Sequence, residues 1–260
     1  MKKLLLFIAI ILLSSNVIAQ DKLFLVFEFM EVDNDQEDDY WETESFWEKI
    51  HAQRVKNGDI IGWDLWSLKP GGEDQGYQYL TVNLYNDPIK MLKGGGDFDA
   101  ALKAAYPNMS EEDLNKAFDK TSKSRDLAKR IYLEQIDVTK DEFEMPIGTV
   151  ANIDLMKVDL ENYDKYEKAE SEVFKPNHQK QVDAGRKGNW GLLRYMSPIG
   201  SDTYASHITV NMYKNYEQLF MPNTNDGPVL TEAQQKAVQD GLASRDMKWV
   251  YTATLVKKVR

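Results

Sequence analysis

The chain has no cysteine, and only three of its 260 residues are histidine. With no thiol there is no disulfide in any compartment, so stability has to come from ordinary packed cores. Three histidines argue against a rich metal centre, and no zinc-type ligand spacing is present. Glycine-rich nucleotide-binding motifs and nucleophile elbows are also missing. Cationic charge is in short supply: 32 Lys and Arg face 42 Asp and Glu, for a net charge of −10. A surface of that sign repels phosphate backbones, which argues against a nucleic-acid partner. Long apolar runs are confined to Leu4–Leu13, and no later segment is apolar enough to span a bilayer.

That one run has the layout of a cleavable signal peptide over residues 1–19. Lys2 and Lys3 precede it, and Val17 and Ala19 occupy the positions before a cut at Ala19–Gln20. It is short for a membrane span, which needs about 20 residues. No cysteine follows to carry a lipid. The expectation is an exported, periplasmic or secreted chain with no stable membrane anchor after processing. Loss of Lys2 and Lys3 would take the net charge to −12 from −10.

The rest of the sequence is written twice. Leu80-Thr81-Val82-Asn83-Leu84-Tyr85 returns as Ile208-Thr209-Val210-Asn211-Met212-Tyr213. Ser124-Arg125-Asp126-Leu127 returns as Ser244-Arg245-Asp246-Met247. His51, seven residues before Gly58, returns as His178, seven before Gly185. Phe29–Val32 returns more loosely as Leu155–Val158. The landmarks keep their order at offsets of 128, 120, 127 and 126. This layout reads as a first repeat over residues 22–138, a linker over 139–148 with Pro146 and Gly148, and a second repeat over 149–258.

Each repeat reads as strand, helix, strand, strand, helix, strand. In the first, Phe24–Val32 is rich in aromatic and β-branched residues. Tyr40–Asn57 carries apolar residues at helical spacing and ends at Gly58, a plausible C-cap. Ile60–Leu68 and Tyr77–Tyr85 read as strands joined through Pro70, Gly71, Gly72 and Gly76. Gly94–Gly96 and Pro107 break up an insertion, and Ser110–Asp113 is a capping box for the second helix. Arg130–Val138 is the closing strand. In the second repeat the elements fall at Val150–Val158, Tyr163–Ala184, Trp190–Met196, Tyr204–Tyr213, a capping box at Thr231–Gln234, and Trp249–Val256. Pro176 should kink or break the helix that holds it.

This βαββαβ order is the ferredoxin-like pattern, an α+β class in which one sheet face stays uncovered by helices. Two such sheets packed face to face would hide both. In this layout the chain resembles the dimeric α/β-barrel superfamily, which includes antibiotic-biosynthesis-type monooxygenases and several haem-handling enzymes. Two chains commonly supply the halves in those families; the resemblance implies a fused pseudo-dimer here. It rests on topology and repeat layout over residues 22–258, and it transfers no catalytic residue and no cofactor.

Candidate site residues follow from period-two alternation. On the third strands, Leu80, Val82 and Leu84 share a face with counterparts Ile208, Val210 and Met212. These are expected to meet the helices. The opposite stripes, Tyr79, Thr81, Asn83 and Tyr85 with His207, Thr209, Asn211 and Tyr213, are expected to point into a shared interior. There they would either line a ligand pocket or form a polar network between halves. Glu28 and Asp154 are equivalent on the first strands. Either is a general base if desolvated, or a solvent-facing charge, the placement that alternation favours.

His51 and His178 border the buried faces of the first helices. Imidazole there can cap a structure, act as a base, or ligate iron as in some haem-handling relatives. Arg125 and Arg245, each followed by Asp, suit a helix C-terminus, a helix-to-strand lock, or a carboxylate ligand. Asp33, Asp35, Glu37, Asp39 and Glu44 have calcium-loop spacing, but Asp38 stands where the turn glycine is required, so this reads as a solvated acidic loop. Trp41, Trp47, Trp63 and Trp66 crowd the first repeat, against Trp190 and Trp249 in the second, with Trp66 aligned to Tyr195. That asymmetry points to a working cavity in the first half.

The sequence is compatible with three readings: a binder of a small, partly apolar molecule, a cofactor-independent oxygenase- or isomerase-like enzyme, and a structural protein without ligand.

Overall fold

A computed structural model of the protein describes residues 22–70, 76–140, 143–222 and 230–260. The expected signal peptide and the hairpin glycines Gly71 and Gly72 lie outside the described residues. Eight strands, all pairing antiparallel, close into one barrel: β1 (Phe24–Glu31), β2 (Gly62–Lys69), β3 (Tyr79–Tyr85), β4 (Asp126–Val138), β5 (Val150–Lys157), β6 (Asn189–Ser197), β7 (His207–Tyr213) and β8 (Asp246–Val259). The order around the barrel is β1-β3-β2-β8-β5-β7-β6-β4. Each half therefore runs fourth-first-third-second strand, and the β2–β8 and β4–β6 ladders join the halves. Closure leaves neither sheet with an open edge.

The helices lie outside. Over the first half are α1 (Glu37–Lys56), α2 (Pro88–Leu92), α3 (Phe98–Ala105) and α4 (Glu111–Ser124). Asp87, Asp97 and Ser110 cap the last three with side-chain oxygens on free N–H groups. Gly58 takes a φ of 73° just beyond α1, the left-handed step that ends a helix without a Cβ clash. Over the second half, α5 (Tyr163–Ala169) passes through a π-helical turn, Glu170–Phe174, into α6 (Lys175–Asp183). The wide turn sits directly before Pro176, whose missing N–H cannot serve an α-helical bond. Further on are α7 (Tyr216–Leu219) and α8 (Glu232–Leu242), the latter opened by the reciprocal Thr231–Gln234 capping box.

The facing of the stripes is the reverse of the expectation. Leu80 and Val82 do not meet helices. They join Leu25, Phe27, Phe29, Ile131 and Leu133 of their own half, and Ala151, Ile153, Leu155, Ile208 and Val210 of the other, in one cluster inside the barrel. The polar stripes instead face the helices. Alternation sorts residues into two faces but does not say which face looks where. Two whole sheets meeting face to face favour side chains with little hydrogen-bonding demand, and the polar tips that do enter belong to aromatic residues, such as Tyr251, whose hydroxyl pairs with that of Tyr77 at 2.7 Å. Under the helices, α1 offers polar partners of its own, since Thr43, Glu44, His51 and Arg54 are on its buried side.

Register corrects one alignment. Trp66 lies opposite Leu80, and the matching residue opposite Ile208 is Leu193, not Tyr195. Tyr195 matches Leu68: their N–H groups donate to Ser206 and Gln78 at 2.9 Å each. Trp63 and Trp190, opposite Asn83 and Asn211, are the true pair.

Candidate functional site

A cleft of about 640 Å³ lies between the outer face of β1–β4 and helices α1–α4. Its floor carries Glu28 from β1, Trp63 from β2, and Thr81, Asn83 and Tyr85 from β3. Its walls carry Glu44, Trp47, His51 and Arg54 from α1, Gly94 after α2, Phe98 from α3, Phe118 from α4, and Arg125 and Arg130 around the start of β4. Four predicted residues thus converge: Glu28, His51, Asn83 and Tyr85. Glu28 faces the cleft rather than open solvent, because the stripe it belongs to is the one under the helices.

Hydrogen bonds fix the floor. Glu28 Oε1 accepts from Arg130 Nε at 2.7 Å, and Oε2 takes Thr81 Oγ1 and Asn83 Nδ2 at 3.4 Å each. With its amide nitrogen turned to a carboxylate, Asn83 points Oδ1 the other way, where this buried acceptor has no partner among the described residues. On the wall, the His51 ring stacks on Trp63 with centroids 4.9 Å apart and planes 16° apart. Arg54 Nη1 lies 3.2 Å from His51 Nδ1, and Nη2 donates to Gly94 O at 2.7 Å. A guanidinium only donates, so Nδ1 accepts and the neutral ring carries its proton on Nε2. Burial, reinforced by the charges of Arg54 and Arg125, holds the His51 pKa well below the usual histidine value. His51 is therefore neutral at pH 7.

Beneath this pair, Arg125 forms an ion pair with Glu44. Burial pushes the Glu44 pKa up against the pull of that arginine. The helix-to-strand lock expected of Arg125 is thus made with a glutamate on α1, not with the neighbouring Asp126.

The remaining predicted residues assemble a matching cluster over the second half. Asp154 Oδ2 accepts from Thr209 Oγ1 at 2.8 Å and from Asn211 Nδ2 at 2.9 Å. His178 stacks on Trp190 at 5.1 Å and 11°, and Arg245 Nε lies 3.5 Å from Glu170. Here the space is occupied. The Lys187 ammonium donates to Asn211 Oδ1 at 2.7 Å, lies 2.8 Å from His178 Nδ1, and sits 5.7 Å over the Tyr213 ring. Burial brings the Lys187 pKa down to about 8, opposed by Asp154. Burial and Lys187 bring that of His178 down to about 3. His207 stands apart: its Nε2 is 3.1 Å from Glu167, and it packs edge-on to Tyr163 and Tyr166. Trp66 lines a separate, largely apolar cavity of about 240 Å³ inside the barrel.

Several site residues escaped sequence reasoning. Arg54 and Lys187 left no trace there, because each differs from its counterpart. Glu44 and Glu170 were readable: Tyr40-x-x-x-Glu44 returns as Tyr166-x-x-x-Glu170 at the same offset as Glu28 to Asp154.

The superfamily resemblance raises haem, and His51 does not fit as its axial ligand. A ligating imidazole offers a bare nitrogen to the metal and donates its other N–H to an acceptor. His51 instead accepts from a guanidinium and keeps its proton on Nε2. Among the described residues, no three His, Asp or Glu side chains are grouped to hold a metal ion.

No family model matches the chain, and no curated protein matches it. Solved structures do. A monooxygenase candidate from Fusobacterium nucleatum aligns over 92% of this chain and 94% of its own, with 13% identity and a TM-score of 0.55. A monooxygenase candidate from Lactobacillus acidophilus gives 92%, 95%, 13% and 0.54. An anthrone oxidase-like protein gives 92%, 93%, 12% and 0.50. The chain has the α/β-barrel fold. Single chains of these neighbours are matched almost end to end, so they too carry a whole barrel in one polypeptide. At such identities the likeness reaches the fold and stops there.

Proposed function

We propose that this protein binds a small, partly apolar molecule in the cleft over β1–β4. The observation that carries this is Asn83 Oδ1, a buried acceptor with no partner among the described residues, on the floor of an aromatic-walled cleft. Leaving such a group unpaired costs about 1–3 kcal/mol, which a bound donor would recover. The matching acceptor in the second half, Asn211 Oδ1, is already satisfied from within the chain. Native mass spectrometry of protein purified without denaturation tests the reading. A co-purifying small molecule is expected, and Asn83→Ala should lose it with little change in melting temperature. Retention in Asn83→Ala would overturn the assignment.

A second reading, a cofactor-independent oxygenase- or isomerase-like enzyme, is favoured by one further observation: His51 is held neutral at the cleft wall with its proton on Nε2. In that role Glu28 would take a proton from the substrate, and His51 Nε2–H would stabilise the negative charge that develops on a substrate oxygen. The three solved neighbours agree with this reading at the level of fold.

The matching strand orders and the paired site residues support two ferredoxin-like repeats, 22–138 and 149–258, fused after duplication. Lys2, Lys3 and the Leu4–Leu13 run support export through a signal peptide of residues 1–19 to the periplasm or beyond.

A further inference from the structure

The second half shows what its site looks like when filled. Ile60 and Lys187 are matching residues, each two positions after a left-handed glycine and three before the stacked tryptophan. Ile60 packs into the apolar cluster with Trp63 and Tyr85. Lys187, only 4% exposed, extends further and places Nζ on Asn211 Oδ1. At the matching point in the first half, Asn83 Oδ1 is buried and has no partner among the described residues. We propose that Lys187 is a built-in occupant that closes the second site, and that the first site takes a small aromatic anion whose uncharged N–H or O–H donates to Asn83 Oδ1 where Lys187 Nζ would lie. This rests on the cleft being a binding site, as proposed above.

The uncharged donor and the anionic charge follow from bookkeeping between the halves. Asp154 and Glu170 are balanced by Lys187 and Arg245. Their counterparts Glu28 and Glu44 face four cations on the cleft lining: Arg54, Lys93, Arg125 and Arg130. The excess comes partly from Arg54 and Arg130, whose matching residues are Gln181 and Val250. A cationic donor like the lysine it replaces would meet like charge there, whereas an anion is attracted. The aromatic character comes from Trp47, Phe98 and Phe118, which wall the same space.

The test uses the full chain and 8-anilinonaphthalene-1-sulfonate, an aromatic anion with an uncharged N–H. Calorimetric titration should show one dye per native chain, at least tenfold weaker binding in Ile60→Lys, and no change in Ile60→Leu. Unchanged affinity in Ile60→Lys overturns the inference and leaves the cleft reading intact. Failure of the native chain to bind the dye overturns the aromatic-anion inference, whereas binding untouched by Asn83→Ala overturns the cleft reading. A second arm tests the occupant by itself. In Lys187→Ala, n-butylammonium chloride should raise the melting temperature by several degrees over equal potassium chloride, with no difference in the native chain. Equal melting temperatures in the two salts overturn the occupant. If either variant fails to fold, the other arm decides.

Discussion

His51 and His178 present the same imidazole on the same kind of tryptophan, yet one faces an open cleft and the other a lysine. The difference lies in the neighbours, Arg54 in one half and Lys187 in the other, and it has a measurable consequence in acid. The folded-state pKa of His178 is about 3, below its unfolded value near 6.5. As pH falls through 6.5, the unfolded chain takes up a proton that the folded chain refuses. Stability contributed by this residue is therefore complete above 6.5 and lost on acidification, by up to about 1.4 kcal/mol per pH unit until the folded pKa is reached. His178→Gln removes that slope. Urea unfolding at pH 7 and pH 5.5 should show native and variant stabilities converging by about 1 kcal/mol. Parallel losses would place the ring in contact with solvent. In NMR titrations, His178 should keep the spectrum of a neutral ring at pH 5.

At the scale of elements, each first helix is tied to the start of its fourth strand by a buried ion pair, Glu44 to Arg125 and Glu170 to Arg245. Glu44 is wholly buried, so truncating its partner strands a charge away from water. Arg125→Ala is expected to cost about 3–5 kcal/mol in chemical denaturation. Adding Glu44→Gln should recover part of that loss, because the stranded charge is gone. If the double variant is no more stable than the single, the pair is not what holds α1 in place. The elements themselves were largely legible from sequence. Alternation marked the strands, capping boxes marked α4 and α8, and glycines marked the helix ends. What misled was the facing of β3 and β7. A strand with one polar and one apolar face looks the same whether the polar side meets water, helices or another sheet.

For the molecule as a whole, the interior cluster draws on both halves, so neither sheet has a dry side without the other. Leu80 is fully buried in that cluster, and Leu80→Ala should lower stability by about 2–5 kcal/mol through the cavity it leaves. A chain ending at residue 140 would expose the apolar face of β1–β4 together with the unpaired edges of β2 and β4. It is expected to self-associate in analytical ultracentrifugation, or to lack a cooperative melt. A folded monomer would show that the barrel is two independent domains.

The sequence by itself determined the periodicities, the repeated landmarks and the pairing of Glu28 with Asp154, Asn83 with Asn211 and His51 with His178, because spacing along a strand or helix is a local property. Tertiary structure alone decided which stripe is dry, that Trp66 belongs inside the barrel, and that Arg54 and Lys187 settle which of two matching sites stays open. Those outcomes depend on desolvation and charge among residues distant in the chain. Arg54 reaches across to Gly94, and Lys187 reaches across to Asn211. No pattern along the chain encodes such contacts.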